Sequence, residues 1–191
     1  MLCGSCGEGA GGKGVAVCTS LEGKTALVGG ASRGLGRAIA RALSAQKAQV
    51  AICARSFEPL EAAAKEISTE TGENVFPIPA DLSDPAQIDR LVSQAVDRLG
   101  RIDILVHNTG GPPAGRFLDH ADTAWREAFE GLLMSVVRLC RAVVPSMQAV
   151  GWGRIITNTS FTVQEPAERL VLSNALRVAV VAACKTLAQE V

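Results

Sequence analysis

Residues 172–178 read LSNALRV, and residues 153–160 read GRIITNTS. Ser160 precedes Ser173 by 13 positions, and Arg177 follows Ser173 by 4. On a helix, a hydroxyl and a guanidinium at i and i+4 share one face. Such a pair can hold a substrate oxygen or a ribose, or it can simply be the polar side of the helix. A second chemical stretch is VGGASRGLGRAIA at 28–40. Gly30, Gly34 and Gly36 lie between an apolar run and an amphipathic one. Glycine permits a tight turn and lets a pyrophosphate approach the backbone. A helix N-terminus behind the turn adds free N–H groups and the positive end of the dipole. The bland alternative is a purely structural turn.

The next apolar run ends Cys53-Ala54-Arg55-Ser56. A site that selects NAD needs a carboxylate there for the ribose 2′-hydroxyl. This stretch offers an arginine instead. Arg55, with Arg33 from the glycine turn, can clamp a 2′-phosphate through bidentate hydrogen bonds. The expected cofactor is therefore NADP(H) rather than NAD(H); against it stands the reading of two solvated surface arginines.

These residues need a frame. KTALVG, QVAIC, NVFPIPA, DILVH and GRIITNTS are short apolar runs with strand character. Between them lie helical patterns at 34–46, at FEPLEAAAKEISTE, and at SDPAQIDRLVSQAVDRLG. In the last of these Asp84 is the expected cap, Pro85 opens the first turn and Gly100 ends the helix. A longer helix is predicted over 123–149, with Gly131 inside it and Pro145 near its end. A final helix is predicted from Leu172 onward. Strands alternating with helices predict an α/β fold: a Rossmann-type doubly wound parallel sheet with right-handed crossovers. Residues 1–20 are Gly-rich and without period, which predicts a flexible leader before a nucleotide-binding domain over 21–191.

Composition narrows the partners. Nineteen basic residues balance nineteen acidic ones, which gives no electrostatic case for nucleic acid or an anionic membrane. No apolar run in the sequence approaches the roughly 18 residues of a membrane span. With no apolar stretch of a secretory signal at the N-terminus, the expectation is a cytoplasmic protein. Cys3 and Cys6 form a C-x-x-C, but no second ligand pair accompanies them, so no metal site is expected. Cys53, Cys140 and Cys184 lie in apolar segments and read as small core residues.

Taken together, the motifs resemble the short-chain dehydrogenase/reductase family, in the branch near the 3-oxoacyl-acyl-carrier-protein reductases. The likeness spans nearly all of residues 22–191. GGASRGLG resembles the family's T-G-x-x-x-G-x-G, with Gly29 in the threonine's place. The resemblance places cofactor contacts on Gly30, Ser32, Arg33, Gly34, Leu35 and Gly36. DLSD resembles the acid after the third strand, so Asp81 would bond the adenine amine with Leu82 beside it. HNTGG resembles N-N-A-G; Asn108 and Gly110 match, while His107 and Thr109 differ. GRIITNTSF resembles the strand that carries the catalytic serine, at Ser160.

The family's general acid/base is a tyrosine in Tyr-x-x-x-Lys, often joined by an asparagine on the long helix. Here Ser173 takes the tyrosine position, Arg177 the lysine position and Leu132 the asparagine position. The chain contains no tyrosine at all. An aliphatic hydroxyl is a far weaker acid than a phenol, whose pKa is about 10. Arg177 stays charged and retains the capacity for ribose contacts. His107 titrates in a useful range, against which stands a buried histidine satisfied by backbone. His120 reads as solvated, and Glu165 and Glu168 as exposed loop acids near the substrate mouth. Family members continue past the last helix, so the resemblance implies a C-terminally truncated fold whose fifth strand is an open edge.

The resemblance implies an oxidoreductase that moves a hydride between NADP(H) and a carbonyl or alcohol. Its candidate catalytic residues are Ser160, Ser173 and Arg177. The alternatives are a non-catalytic nucleotide-binding relative or a truncated fragment. The two long helices are those with which the family pairs subunits, which implies a homodimer or homotetramer; the alternative is that their apolar faces are ordinary core.

Overall fold

The computed structural model describes residues 20–191. The expected leader and its C-x-x-C therefore lie almost wholly outside the described residues. Five parallel strands form one sheet in the order β3-β2-β1-β4-β5. They are β1 (Thr25–Val28), β2 (Gln49–Ala54), β3 (Val75–Pro79), β4 (Ile104–His107) and β5 (Arg154–Thr157). Between them run α1 (Gly34–Ala45), α2 (Phe57–Thr71) and α3 (Pro85–Leu99). After β4 come α4 (Asp122–Ala128) and α5 (Ser135–Val150), and after β5 comes α6 (Val171–Glu190). This is the doubly wound sheet that the alternating pattern predicts.

Every residue of β1 and of β4 is buried, as a strand covered on both faces must be. Alternate residues feed two cores. Ala26, Val28, Val50 and Ile52 pack with Ala40, Leu60 and Ile67 of α1 and α2. Leu27, Ala51 and Leu105 pack on the other face with Ile88, Leu91, Leu139 and Val180. The connection reverses direction between β1 and β4, so the crevice at their C-terminal ends is the topological switch point. The glycine turn leaves β1 there, and Asn108 follows β4 there. Ala31 N donates to Cys53 O at 3.0 Å, which brings the turn alongside the end of β2.

The expected caps form. Asp84 accepts from the N–H groups of Ala86 and Gln87, and Gly100 closes α3. The predicted long helix over 123–149 also forms, helical without a break from Asp122 to Val150, but its middle turn changes type. A π-helical turn at Phe129–Met134 separates α4 from α5. Ser135 explains it locally: its hydroxyl lies 2.7 Å from Gly131 O and 3.2 Å from Leu132 O. A side chain that occupies those carbonyls lets the backbone slip by one residue, and such bulges recur at functional sites.

β5 stands at one edge of the sheet, as expected. By contrast, α6 corrects the sequence reading of apolar runs. It is 20 residues long, and an 18-residue window of it has a mean hydropathy of 1.5, enough to cross a membrane by length and composition alone. That helix nevertheless buries Leu172, Ser173, Arg177 and Val180 against the protein. A charged residue on its packed face is what a helix serving a site requires.

Candidate functional site

The glycine turn is built around one amide. Asn108 Nδ2 donates to Gly29 O at 3.1 Å and to Gly30 O at 3.3 Å. A Cβ on Gly36 would lie 2.4 Å from Gly30 O, and one on Gly30 would lie 2.7 Å from Asn108 O. These glycines are required by the close approach of turn and β4 loop. Gly34 differs: its φ is +58°, and a Cβ there would meet open space. Leu82 packs beneath the turn, beside Gly29.

The first turn of α1 is open to a ligand. Its N-cap is Arg33, which makes no side-chain capping bond, and no acid lies in the first turn. Its leading N–H groups therefore lack both a side-chain acceptor and a counter-charge. Arg33 and Arg55 are exposed, and neither is in an ion pair among the described residues. Ser32, next to Arg33 in the turn, is half-buried, and Leu35 is exposed at the helix start. Asp81 Oδ1 accepts from the N–H and hydroxyl of Ser83, at 2.9 and 2.8 Å. Its Oδ2 accepts no hydrogen bond from the described residues. Gly110 has no neighbour within 4 Å of a Cβ position. Uncapped N–H groups and two guanidinium groups unpaired among the described residues are donors that fit the phosphates of a dinucleotide, and the Asp81 carboxylate oxygen is an acceptor that fits a base amine.

From the turn a chain of hydrogen bonds leads to α6. Asn158 Nδ2 donates to Asn108 Oδ1 at 2.7 Å. Arg177 Nη1 donates to the carbonyls of Asn158 and Thr159, both at 3.2 Å. Ser173 Oγ lies 3.4 Å from Thr162 Oγ1. Ser160 caps a short 3-10 turn (Phe161–Val163), its Oγ accepting from Thr162 N at 3.2 Å. Ser160 and Ser173 thus both reach Thr162, one through its amide and one through its hydroxyl. The loop between them is fastened twice. Asn174 Nδ2 donates to Ala167 O while its Oδ1 accepts from Ala167 N, and Gly115 N donates to Arg169 O at 2.7 Å.

Leu132 is buried in the π-helical turn. Sequence reasoning missed Asn158, Thr162, Asn174 and Ser135. For Asn158, Thr162 and Asn174 the available signal was a cluster of small polar residues around Ser160 and Ser173; Ser135 had none.

Both histidines depart from expectation. His107 is buried, but its partner is a side chain rather than backbone: Nε2 lies 2.8 Å from Ser135 Oγ. The Ser135 hydroxyl donates to Gly131 O, so Nε2 carries the proton and Nδ1 remains an enclosed acceptor without a partner. Burial, reinforced by the charge of Arg177, pushes the His107 pKa down to about 4. It is neutral at physiological pH and offers no acidic proton. His120 is half-buried rather than fully solvated; it packs against Gly115, and its Nε2 is enclosed with no partner among the described residues. Glu165 and Glu168 are exposed, as expected.

A family model described as short chain dehydrogenase matches residues 24–191. The ketoacyl reductase HetN of a Nostoc species is 37% identical over 142 residues, 74% of this chain and 49% of that protein. The 3-oxoacyl-[acyl-carrier-protein] reductase FabG of Escherichia coli is 40% identical over 138 residues, 72% of this chain and 55% of that protein. The chain thus spans about half the length of these curated relatives. An L-sorbose reductase from Gluconobacter frateurii, solved with NADPH and L-sorbose, superposes with a TM-score of 0.87 at 33% identity. That match covers 90% of this chain and 65% of the other. A metagenomic short-chain oxidoreductase in complex with NADP gives a TM-score of 0.85 at 31% identity, covering 90% and 78%.

Proposed function

The chain belongs to the short-chain dehydrogenase family, in its 3-oxoacyl-[acyl-carrier-protein] reductase-like branch, and from that premise we propose an NADP(H)-dependent oxidoreductase acting on a small carbonyl or alcohol. The observation that carries this reading is the uncapped first turn of α1, with Arg33 and Arg55 in no ion pair among the described residues. Residues 21–191 act in it as one nucleotide-binding domain.

In this reading Gly30, Ser32, Arg33, Gly34, Leu35 and Gly36 receive the pyrophosphate. Asp81 and Leu82 meet the adenine, and Asn108 and Gly110 line the floor toward the ribose. The nicotinamide cofactor supplies the hydride chemistry. Arg177 supplies positive charge and ribose contacts, while Ser160 and Ser173 hold the substrate oxygen. Asn108 and Asn158 keep the turn and α6 in register.

The preference for the 2′-phosphate rests on Arg55, which stands where an acid would read an unmodified ribose. NADPH in the related L-sorbose reductase agrees with it. Arg55→Asp replaces a phosphate clamp by a repelling carboxylate. We expect NADPH to weaken at least tenfold while NADH changes little or improves, as read by calorimetry. Equal losses for both nucleotides would remove the clamp from the account.

The same reading pairs subunits through α5 and α6. These helices bound an apolar groove of about 600 Å³ lined by Val137, Val144, Ala183 and Leu187. Arg141 and Glu190 also line it, and neither is in an ion pair among the described residues. Opposite charges on one face suit a two-fold contact with a second copy. Sedimentation velocity should show a dimer or tetramer; a monomer at micromolar concentration contradicts this assembly.

A further inference from the structure

One buried polar pair, His107 and Ser135, has no part in the proposed cofactor contacts. His107 closes β4 and Ser135 opens α5; they are 3% and 0% exposed. His107 Nε2 donates to Ser135 Oγ at 2.8 Å. The Ser135 hydroxyl passes the chain on to Gly131 O at 2.7 Å, with Leu132 O at 3.2 Å. Nδ1 of the same imidazole is enclosed and has no partner among the described residues. Burying an unpaired acceptor is costly, and an apolar side chain would fill the place without that cost. Stability alone does not account for a histidine here.

The pair joins three elements. Ser135 follows the π-helical turn Phe129–Met134, and its hydroxyl occupies carbonyls of that turn. The end of β4 therefore fixes the turn from one side. On another side the turn packs on α6, the helix that carries Ser173 and Arg177. Arg177 stands close enough for its charge to be felt at the His107 ring. Among the described residues Arg177 is held by the carbonyls of Asn158 and Thr159, both through Nη1. Where the rest of its guanidinium lies thus depends on how α6 is packed.

We propose that His107 is a positioning residue for the nicotinamide half of the cofactor: through Ser135 it fixes the π-helical turn, and the turn sets α6 so that Arg177 meets the ribose. This rests on the proposed cofactor reading and adds to it the residue that holds Arg177 in place. The pyrophosphate and the 2′-phosphate are received by the glycine turn and Arg55 and do not depend on the His107–Ser135 bond.

The probes are NADPH and adenosine 2′,5′-bisphosphate, which keeps the 2′-phosphate and lacks the nicotinamide half. Both are titrated by calorimetry into the unaltered chain, His107→Leu, His107→Gln and Ser135→Ala. His107→Leu and Ser135→Ala should each weaken NADPH roughly tenfold, the scale of a lost contact to a charged group, and leave the bisphosphate within about twofold. His107→Gln carries an amide N–H about as far out as Nε2 and should keep NADPH within about threefold. A side chain needed only for folding would move both probes together. Equal weakening of both probes therefore overturns the positioning role, as do NADPH affinities that no variant changes. Should His107→Leu fail to fold, Ser135→Ala, which places a strong helix former in the helix, gives the same reading. An unaltered chain that binds NADPH no tighter than the bisphosphate gains nothing from the nicotinamide half; the positioning role then falls and the glycine-turn site stands. A chain that binds neither probe loses the proposed function and the positioning role with it.

Discussion

Replacing Ser173 with tyrosine and Arg177 with lysine raises carbonyl reduction by about 10²-fold or more, the contribution that a positioned general acid makes. The reason is the acidity of the group at that turn of α6. A phenol titrates near pKa 10, and an adjacent ammonium brings it closer to working pH. The serine hydroxyl now in place gains nothing comparable from Arg177. Ser173 lies beside Thr162, and Arg177 already reaches the carbonyls of Asn158 and Thr159, to which an ammonium can also donate. The measurement is NADPH consumption by the double variant against a panel of small ketones, with NADPH affinity checked in parallel. A variant that binds NADPH and shows no gain would move the deficit to Leu132, where the family resemblance places an asparagine.

Gly36→Ala carries the second large effect. Its new Cβ would lie 2.4 Å from Gly30 O, 2.8 Å from Gly30 C and 2.8 Å from Asn108 Nδ2. The first two are backbone atoms, and the third is fixed by its bonds to Gly29 and Gly30. Nothing there can yield without moving the turn. Overpacking of this kind costs about 1–3 kcal/mol. At roughly 2–4 °C per kcal/mol for a domain of this size, the melting midpoint should fall by several degrees. NADPH binding should fall below detection, because the backbone that receives the pyrophosphate is displaced. Gly34→Ala is the control. Its Cβ would meet open space, so it carries the strain of φ +58° and no clash. A thermal scan and a nucleotide titration on both variants separate the two effects. Equal loss in both would mean that backbone conformation, not close packing, sets the turn.

Much of this was legible in the sequence, because the signals were local. The strand and helix periods gave the parallel sheet. Asp84 and Pro85 marked the start of α3, and the spacing of glycines marked the turn after β1. What could not be read was set by contacts between distant residues. Asn158 matters because its amide meets Asn108, 50 positions away. Asn174 matters because it doubles onto the backbone of Ala167 across a loop. The π-helical turn arises because Ser135 takes the carbonyls of Gly131 and Leu132 while itself held by His107. Hydrophobic periodicity averages over turns and is blind to a one-residue slip. His107 illustrates the same limit: its burial was foreseeable from a strand end, but its partner on another element was not.

In the proposed function this chain binds NADP(H) at the glycine turn and reads its 2′-phosphate. Calorimetric titration of the purified chain with NADPH and with NADH, under conditions where scattering shows no aggregation, tests it most directly. Micromolar NADPH binding, at least tenfold tighter than NADH, is the expected result. A folded chain that binds neither nucleotide, or binds NADH as tightly as NADPH, would contradict it.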